Sequence, residues 1–284
     1  MKMSLTQAMR SLAIALLPGI LALSTACGGG GSSPTSGTHL LSGNWQITLT
    51  RHVNPLPPLV FTGFLIQSGD SVSGSLKLGT QFLAANCQGV GTISGNIKDQ
   101  NVSFTIGELG QQISLTGAMA ADNSMSGQFS NLAGACTNFA NTGSWTAVPI
   151  APINGNFHAT FTSSEQQSNG TIQVKGAIAQ GANTGNSTAS LAGTMVETGS
   201  PHFCFSLDNV TFTGLVSGTD VTISLYALNG IQVAQIPNAG DINQPTASVT
   251  TDGKVITGSY IFPASSSSPP CNQPERGTFT MTID

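Results

Sequence analysis

The sequence contains the same unit twice, and this duplication constrains the fold more than any other feature. Segment 43–50 (GNWQITLT) matches segment 155–162 (GNFHATFT), and segment 125–129 (MSGQF) matches segment 256–260 (ITGSY). A repeat of this kind predicts two similar domains in tandem. The predicted boundaries are a first copy at 42–148, a linker at 149–152 and a second copy at 153–284.

Within each copy, apolar residues alternate with polar ones over short segments. Segments 45–49 (WQITL) and 102–106 (VSFTI) are clear examples. This period of two is typical of strands with one buried and one exposed face. Turn-forming residues separate the segments, so we expect neighbouring strands to pair antiparallel. The predicted strands of the first copy lie near 43–51, 58–67, 71–78, 88–97, 101–107, 111–119, 124–130 and 141–148.

Such a meander can bury one face either as a β-sandwich or by closing into a barrel. The Gly-x-Trp pattern occurs on the first strand (Gly43, Trp45) and on the last (Gly143, Trp145), which are neighbours only in a closed sheet. Strand glycines such as Gly127 also favour closure, because they permit strong coiling. We therefore predict an all-β fold of two tandem antiparallel eight-stranded meander barrels. The two tryptophans are expected to fill the same barrel end.

The motifs 43–45 (GNW) and 143–145 (GSW), with strand glycines as in 61–64 (FTGF), resemble the calycin-like barrels, the lipocalin and avidin group. That resemblance implies a barrel interior able to hold one small apolar ligand. The alternative is that the same aromatic residues are core residues that fill the interior. The residues concerned are Trp45, Phe104, Phe129 and Trp145.

The first 26 residues are typical of a secretory signal peptide. Lys2 and Arg10 give a positive start, 11–23 is mostly apolar, and Ala26 is the small residue before Cys27. The apolar run is shorter than the roughly 20 residues that a membrane-spanning helix needs. We therefore expect 1–26 to be removed.

Cys27 resembles the lipidated cysteine of bacterial lipoproteins, and 27–41 would then be a lipidated Gly/Ser tether. Gly28 stands where some bacteria place an acidic inner-membrane retention signal, so the resemblance favours the outer membrane of the cell envelope. Repeated barrels after a Cys-Gly-Gly-Gly start also resemble tandem-repeat bacterial lipoproteins. The alternative is an ordinary secretory signal in which Cys27 is incidental.

Four cysteines remain, and an even number in an exported chain suggests disulfides. Each copy has two of them at equivalent places, so the simplest pairing is Cys87–Cys136 and Cys204–Cys271. Free thiols or a metal site are the alternatives. No Cys-x-x-Cys spacing occurs and the four histidines are scattered, so we predict no metal and no cofactor.

Charge is scarce in this chain. Only 7% of the residues are charged, against about 25% in typical proteins. Loss of Lys2 and Arg10 with the signal peptide would take the net charge from -4 to about -6. Nucleic acid is therefore excluded as a partner, because its binding needs clustered lysine and arginine.

The sequence contains no catalytic motif such as Gly-x-Ser-x-Gly. Aspartates near turn signals are expected to make local backbone bonds; they are Asp99, Asp122, Asp208, Asp220 and Asp252. We predict a non-catalytic protein. The enzyme alternative would need His158 or His202 beside a carboxylate in a cleft.

Two non-catalytic functions remain. The first is a binding module that holds a small apolar ligand inside a barrel. The second is a structural or interaction protein with filled barrels, which binds an envelope protein or glycan through loops at 52–58, 79–86 and 263–274. In both cases a lipid anchor at Cys27 provides the membrane contact.

Overall fold

The computed structural model describes residues 41–52, 58–78, 90–108, 111–133, 142–164, 171–183, 187–199, 207–227, 232–236, 247–264 and 272–284. Every regular element in these ranges is a β-strand. Among the described residues there is no helix long and apolar enough to cross a membrane. The predictions of a signal peptide, of lipidation and of disulfides fall on residues outside these ranges. The residues concerned are 1–26, Cys27, Cys87, Cys136, Cys204 and Cys271.

The first copy forms a closed antiparallel barrel, barrel 1, in which each strand pairs with the next and β8 pairs with β1. Closure is confirmed, and the sandwich alternative is not adopted. The alternation seen in the sequence explains the pairing, since one face of every strand is buried. The strands are β1 Gly43–Arg51, β2 Leu59–Ser68, β3 Ser71–Leu78, β4 Val90–Lys98, β5 Asn101–Glu108, β6 Gln111–Met119, β7 Met125–Ala133 and β8 Thr142–Ile150.

The two tryptophans of barrel 1 lie at different levels. Trp45 pairs with Pro149, whereas Trp145 pairs with Leu49, four residues further along β1. At about 3.3 Å per residue, this separates the two positions by about 13 Å along the strand. The expectation that both fill the same barrel end is therefore wrong. Each tryptophan lies near the start of its strand. Because β1 and β8 run in opposite directions, these two starts lie at different levels of the barrel.

The second copy forms barrel 2, which closes in the same way through pairing of β17 with β9. Its sixth strand is split: β14 and β15 both pair with β13 on one side and with β16 on the other. The two pieces therefore share one strand position, and the barrel has eight positions. The strands are β9 Asn154–Ser163, β10 Thr171–Asn183, β11 Ala189–Glu197, β12 Val210–Ser217, β13 Asp220–Tyr226, β14 Gln232–Ile236, β15 Ala247–Val249, β16 Val255–Phe262 and β17 Glu275–Ile283.

Glycine allows β6 and β7 to approach closely. Gly117 and Gly127 are register partners. A Cβ built on Gly127 would clash with the carbonyl oxygen of Thr116 and lie 2.5 Å from the Cα of Gly117. No side chain fits there, so the pair lets the sheet coil as tightly as a small barrel requires.

The two barrels contact each other through a buried polar arrangement that we call the Asn44 clamp. Asn44 Nδ2 donates to the carbonyl oxygen of Gly218 at 2.8 Å, and the Gly218 N–H donates to Asn44 Oδ1 at 2.7 Å. Beside it, the hydroxyls of Thr62 and Ser217 are 3.0 Å apart, and Thr219 donates to Gln46 Oε1 at 2.8 Å. The outer face of β1 and β2 thus holds the β12–β13 turn.

Apolar contacts surround the clamp. Phe64 and Ile150 lie on the outside of barrel 1 but are buried in the hydrophobic cluster of barrel 2, together with Ile153 from the connection between the barrels. Val148 packs against the same cluster. Burial of large apolar side chains contributes about 1.5–3 kcal/mol each. The barrels are therefore fused through an interface and are not simply tethered.

Candidate functional site

The four residues proposed to line an interior ligand site are core residues of barrel 1. Trp45, Phe104 and Trp145 are each 1% exposed, and Phe129 is 5% exposed. The rings of Phe104 and Trp145 pack with their centroids 6.4 Å apart. The structure thus brings Phe104 and Trp145 together, while the register separates Trp45 from Trp145.

The polar atoms of the two tryptophans are already bonded. Trp45 Nε1 donates to the carbonyl oxygen of Leu41 at 2.8 Å, and Trp145 Nε1 donates to that of Thr116 at 3.1 Å. A buried indole N–H usually needs such a partner. These bonds leave neither indole N–H for a ligand.

The surrounding side chains are packed against one another. A cavity large enough for water would leave exposed area on the side chains that line it, yet many inward residues have none. Residues at 0% exposure include Ile47, Leu49, Leu76, Ile106 and Leu115. Such close packing is typical of a filled protein interior.

Barrel 2 also has an aromatic interior, with one polar contact that barrel 1 lacks at the described positions. The ring of Phe161 lies 5.3 Å from that of Tyr260 and 5.6 Å from that of Phe279. The Tyr260 hydroxyl donates to Glu275 Oε1 at 3.0 Å, and both residues are buried. Burial raises the pKa of Tyr260 far above its ordinary value, and the charge and hydrogen bond of Glu275 raise it further.

A polar groove lies on the outside of barrel 1, across β6, β7 and β8. Its volume is about 340 Å³, within the usual range of small-molecule sites. Phe129 is the apolar member of its lining; the polar members are His52, Ser114, Thr116, Gln128, Ser130 and Thr142. None of these residues is a lysine, arginine, aspartate or glutamate. We call this surface the β6–β8 groove.

Two contacts fix the edge of the β6–β8 groove. His52 Nε2 and Gln128 Oε1 are 3.1 Å apart, which requires the Nε2–H tautomer for a hydrogen bond. The His52 N–H donates to the carbonyl oxygen of Thr142 at 3.4 Å. His52 follows β1 directly, so barrel closure carries it to β7 and β8.

The corresponding surface of barrel 2 has the same backbone contact but different side chains. The N–H of Ser164 donates to the carbonyl oxygen of Arg276. In barrel 1 the N–H of His52 donates to the carbonyl oxygen of Thr142 in the same way. The matching register places Ser259 where barrel 1 has Gln128. Where barrel 1 has the β6–β8 groove without lysine or arginine, barrel 2 has Arg276 and a sixth strand that is split into β14 and β15.

Of the two histidines named for the enzyme alternative, only His158 is described, and its side chain is exposed. His158 Nδ1 lies 4.0 Å from Asp284 Oδ1, but the two side chains are 67% and 70% exposed. His202 lies outside the described residues. In the part of the chain that the structure describes, no three His, Cys, Asp or Glu side chains lie close enough to hold a metal ion.

Two of the five turn aspartates, Asp122 and Asp252, make the local bonds that the sequence predicts. Asp99 adopts the left-handed conformation, with φ of 57°, between β4 and β5. Asp122 accepts hydrogen bonds from Ser124, and Asp252 accepts them from Thr250 and Lys254. These bonds lower the pKa of both carboxyl groups. Asp122 and Asp252 are therefore explained by turn structure.

Sequence reasoning missed the β6–β8 groove. Its members are the polar residues of the alternating strands, which the pattern marks only as exposed. Comparison of the chain with protein-family models, curated proteins and solved structures gave no match.

Proposed function

We propose that this chain is a non-catalytic lipoprotein of the cell envelope that works through its outer surface. Lipid at Cys27 would anchor it, with the outer membrane favoured over the inner. The two barrels would serve as a solid scaffold that presents strands and loops to an envelope partner. This is the second of the two non-catalytic functions that the sequence left open.

The observation that supports the proposal is the close burial of the candidate ligand-lining side chains of barrel 1. Its candidate ligand-lining residues, Trp45, Phe104 and Trp145, are each 1% exposed and bonded or packed to one another or to neighbouring core residues. An apolar ligand would have to displace this core, and loss of packed aromatic side chains costs about 3–5 kcal/mol each. The polar outer groove needs no such displacement.

The anchor is tested by mass spectrometry of the full chain from the membrane fraction of a bacterial host. A diacylglycerol thioether and N-acylation on Cys27 are expected, and Cys27→Ser should abolish both. An unmodified Cys27 in membrane-bound protein would contradict the lipoprotein assignment.

The C27S chain then tests where binding occurs. We expect it to sediment saturably with purified envelope fragments. We also expect no saturable binding of 1-N-phenylnaphthylamine, an apolar fluorescent probe. Saturable probe binding with quenching of Trp45 or Trp145 fluorescence would instead support a ligand inside the barrel. Failure to sediment with envelope fragments would overturn the surface proposal.

A further inference from the structure

We propose that the β6–β8 groove is a binding site for a neutral carbohydrate. This inference rests on the proposed function, because it assigns a ligand class to one part of the outer surface. The ligand would lie across β6, β7 and β8, against the polar face of barrel 1. One edge of the ligand would contact His52 and Gln128, whose Nε2 and Oε1 atoms are 3.1 Å apart.

The chemistry of the lining selects the ligand class. Ser114, Thr116, Ser130 and Thr142 offer hydroxyls, which can each donate and accept hydrogen bonds. Gln128 adds an amide with both a donor and an acceptor end. Sugar hydroxyls have the same dual character, so a neutral carbohydrate can satisfy this lining without leaving polar groups unpaired.

The lining also disfavours charged ligands. An anionic ligand is best bound by arginine or lysine through charge-assisted hydrogen bonds, and the groove has neither. A cation would need carboxylates, which the lining also lacks. The groove is therefore suited to a ligand that is polar but uncharged.

The groove is held in a fixed shape before any ligand arrives. Ser114 and Thr116 are on β6, Gln128 and Ser130 are on β7, and the two strands pair in unbroken register from Ile113 to Met119. Beneath them lies the close Gly117–Gly127 approach, which fixes the spacing of the two strands. Preorganised polar groups lose little conformational freedom on binding, and this favours affinity.

The repeat provides an internal control surface. Barrel 2 replaces Gln128 with Ser259, Ser130 with Ile261 and Thr142 with Arg276 at matching positions. If outer strand faces bound sugars in general, both barrels would contribute. The inference predicts that only barrel 1 does.

The test is a titration of the C27S chain with neutral disaccharides, followed by NMR. Cellobiose, maltose and N,N′-diacetylchitobiose are the probes, and glucuronic acid is the charged comparison. We expect at least one neutral probe to bind with millimolar affinity or better and to shift backbone amides of β6, β7 and β8. Glucuronic acid should bind at least tenfold more weakly than that probe.

Variants identify the site. Gln128→Ala and Thr142→Val should each weaken binding about five- to tenfold, as expected for loss of one hydrogen bond. Ser259→Ala on barrel 2 is the matched control and should leave the affinity unchanged. Unaltered circular dichroism would show that the variants are folded.

Two results would overturn the inference. One is the absence of amide shifts on β6–β8 with every neutral probe at 20 mM. The other is equal affinity in the wild-type, Q128A and T142V chains. If the chain still sediments with envelope fragments in either case, the surface proposal stands and only the carbohydrate site fails.

Discussion

Barrels 1 and 2 share one architecture but differ at the sixth strand. In barrel 1, β6 is continuous over Gln111–Met119, whereas in barrel 2 the same position is divided between Gln232–Ile236 and Ala247–Val249. Both halves still pair with the flanking strands, so the barrel remains closed. Closure is therefore kept although this strand position is shared by two segments that are not consecutive in the sequence.

The difference also appears where the sixth and seventh strands approach each other. Barrel 1 has two facing glycines, Gly117 and Gly127, whereas barrel 2 sets Gly258 against Ala247. A Cβ on Gly258 would lie 2.7 Å from the Cβ of Ala247. It would therefore meet a side-chain atom, whereas a Cβ on Gly127 would meet backbone atoms. The nine-residue β6 of barrel 1 is held along its length, so its backbone can shift less than that of the three-residue β15.

The largest expected effect is that of a methyl group placed in this close approach. Gly127→Ala should destabilise barrel 1 by more than about 3 kcal/mol, because the added Cβ clashes with the backbone of β6. Gly258→Ala should cost about 1–2 kcal/mol, because the short β15 can shift. Urea unfolding followed by tryptophan fluorescence reports barrel 1, which contains both tryptophans, and circular dichroism reports the whole chain.

Gly107→Ala is the matched control for these variants. A Cβ at Gly107 would meet the Thr92 hydroxyl at 3.5 Å, an ordinary contact. Its effect should stay within about 0.5 kcal/mol of zero. Equal losses for G127A and G258A would show that the split strand is as rigid as the continuous one.

The next effect in size concerns equivalent asparagines of the two repeats. Asn44 is 3% exposed and clamps Gly218 of the other barrel, whereas Asn156 occupies the same position of the repeat and is exposed. Asn44→Ala should cost about 2–3 kcal/mol, because it leaves the buried N–H and C=O of Gly218 without these partners. Asn156→Ala should change stability by less than about 0.5 kcal/mol.

Calorimetry checks this comparison. The wild-type barrels should unfold in one transition because they share an interface, and N44A should broaden or split it. A single sharp transition in N44A, at the wild-type temperature, would contradict the role of the clamp. A large loss in N156A would show that solvent-facing asparagine at this position matters for each barrel by itself.

The sequence predicted the strands of barrel 1 closely, because alternation and turn residues act locally. The predicted strand 101–107 is observed as Asn101–Glu108, and 124–130 as Met125–Ala133. The level of Trp145 relative to Trp45 was predicted wrongly. Alternation fixes the face on which a side chain lies, but only strand register fixes its height in the barrel.

Contacts between distant segments could not be predicted from the same signals. In the sequence, Asn44 stands out only as part of the Gly-Asn-Trp motif, and its partner Gly218 lies 174 residues away. The β6–β8 groove depends on His52 meeting Gln128, 76 residues apart. Both depend on how closed sheets bring non-consecutive elements together, and no local pattern carries that information.

The smallest effect expected at neutral pH belongs to the Tyr260–Glu275 contact of barrel 2, which also makes this barrel sensitive to alkali. The chain has 2 tyrosines, Tyr226 and Tyr260, both in the second copy. Burial raises the pKa of Tyr260 in the folded state, and the Glu275 contact raises it further, so the unfolded chain releases this proton first as pH rises. Stability from this group is therefore complete below about pH 10 and falls above it, by up to about 1.4 kcal/mol per pH unit.

Tyr260→Phe tests this directly. At pH 7 it should lose about 1 kcal/mol, because Glu275 loses a hydrogen-bond donor. Between pH 10 and 12 the variant should lack the downward slope, so its stability approaches and then exceeds that of the wild type. Tyr226→Phe is the matched control, since it removes the other phenol and keeps the Glu275 contact. Urea unfolding across this pH range measures both slopes; if Y226F abolished the slope as fully as Y260F, the assignment to the buried pair would be wrong.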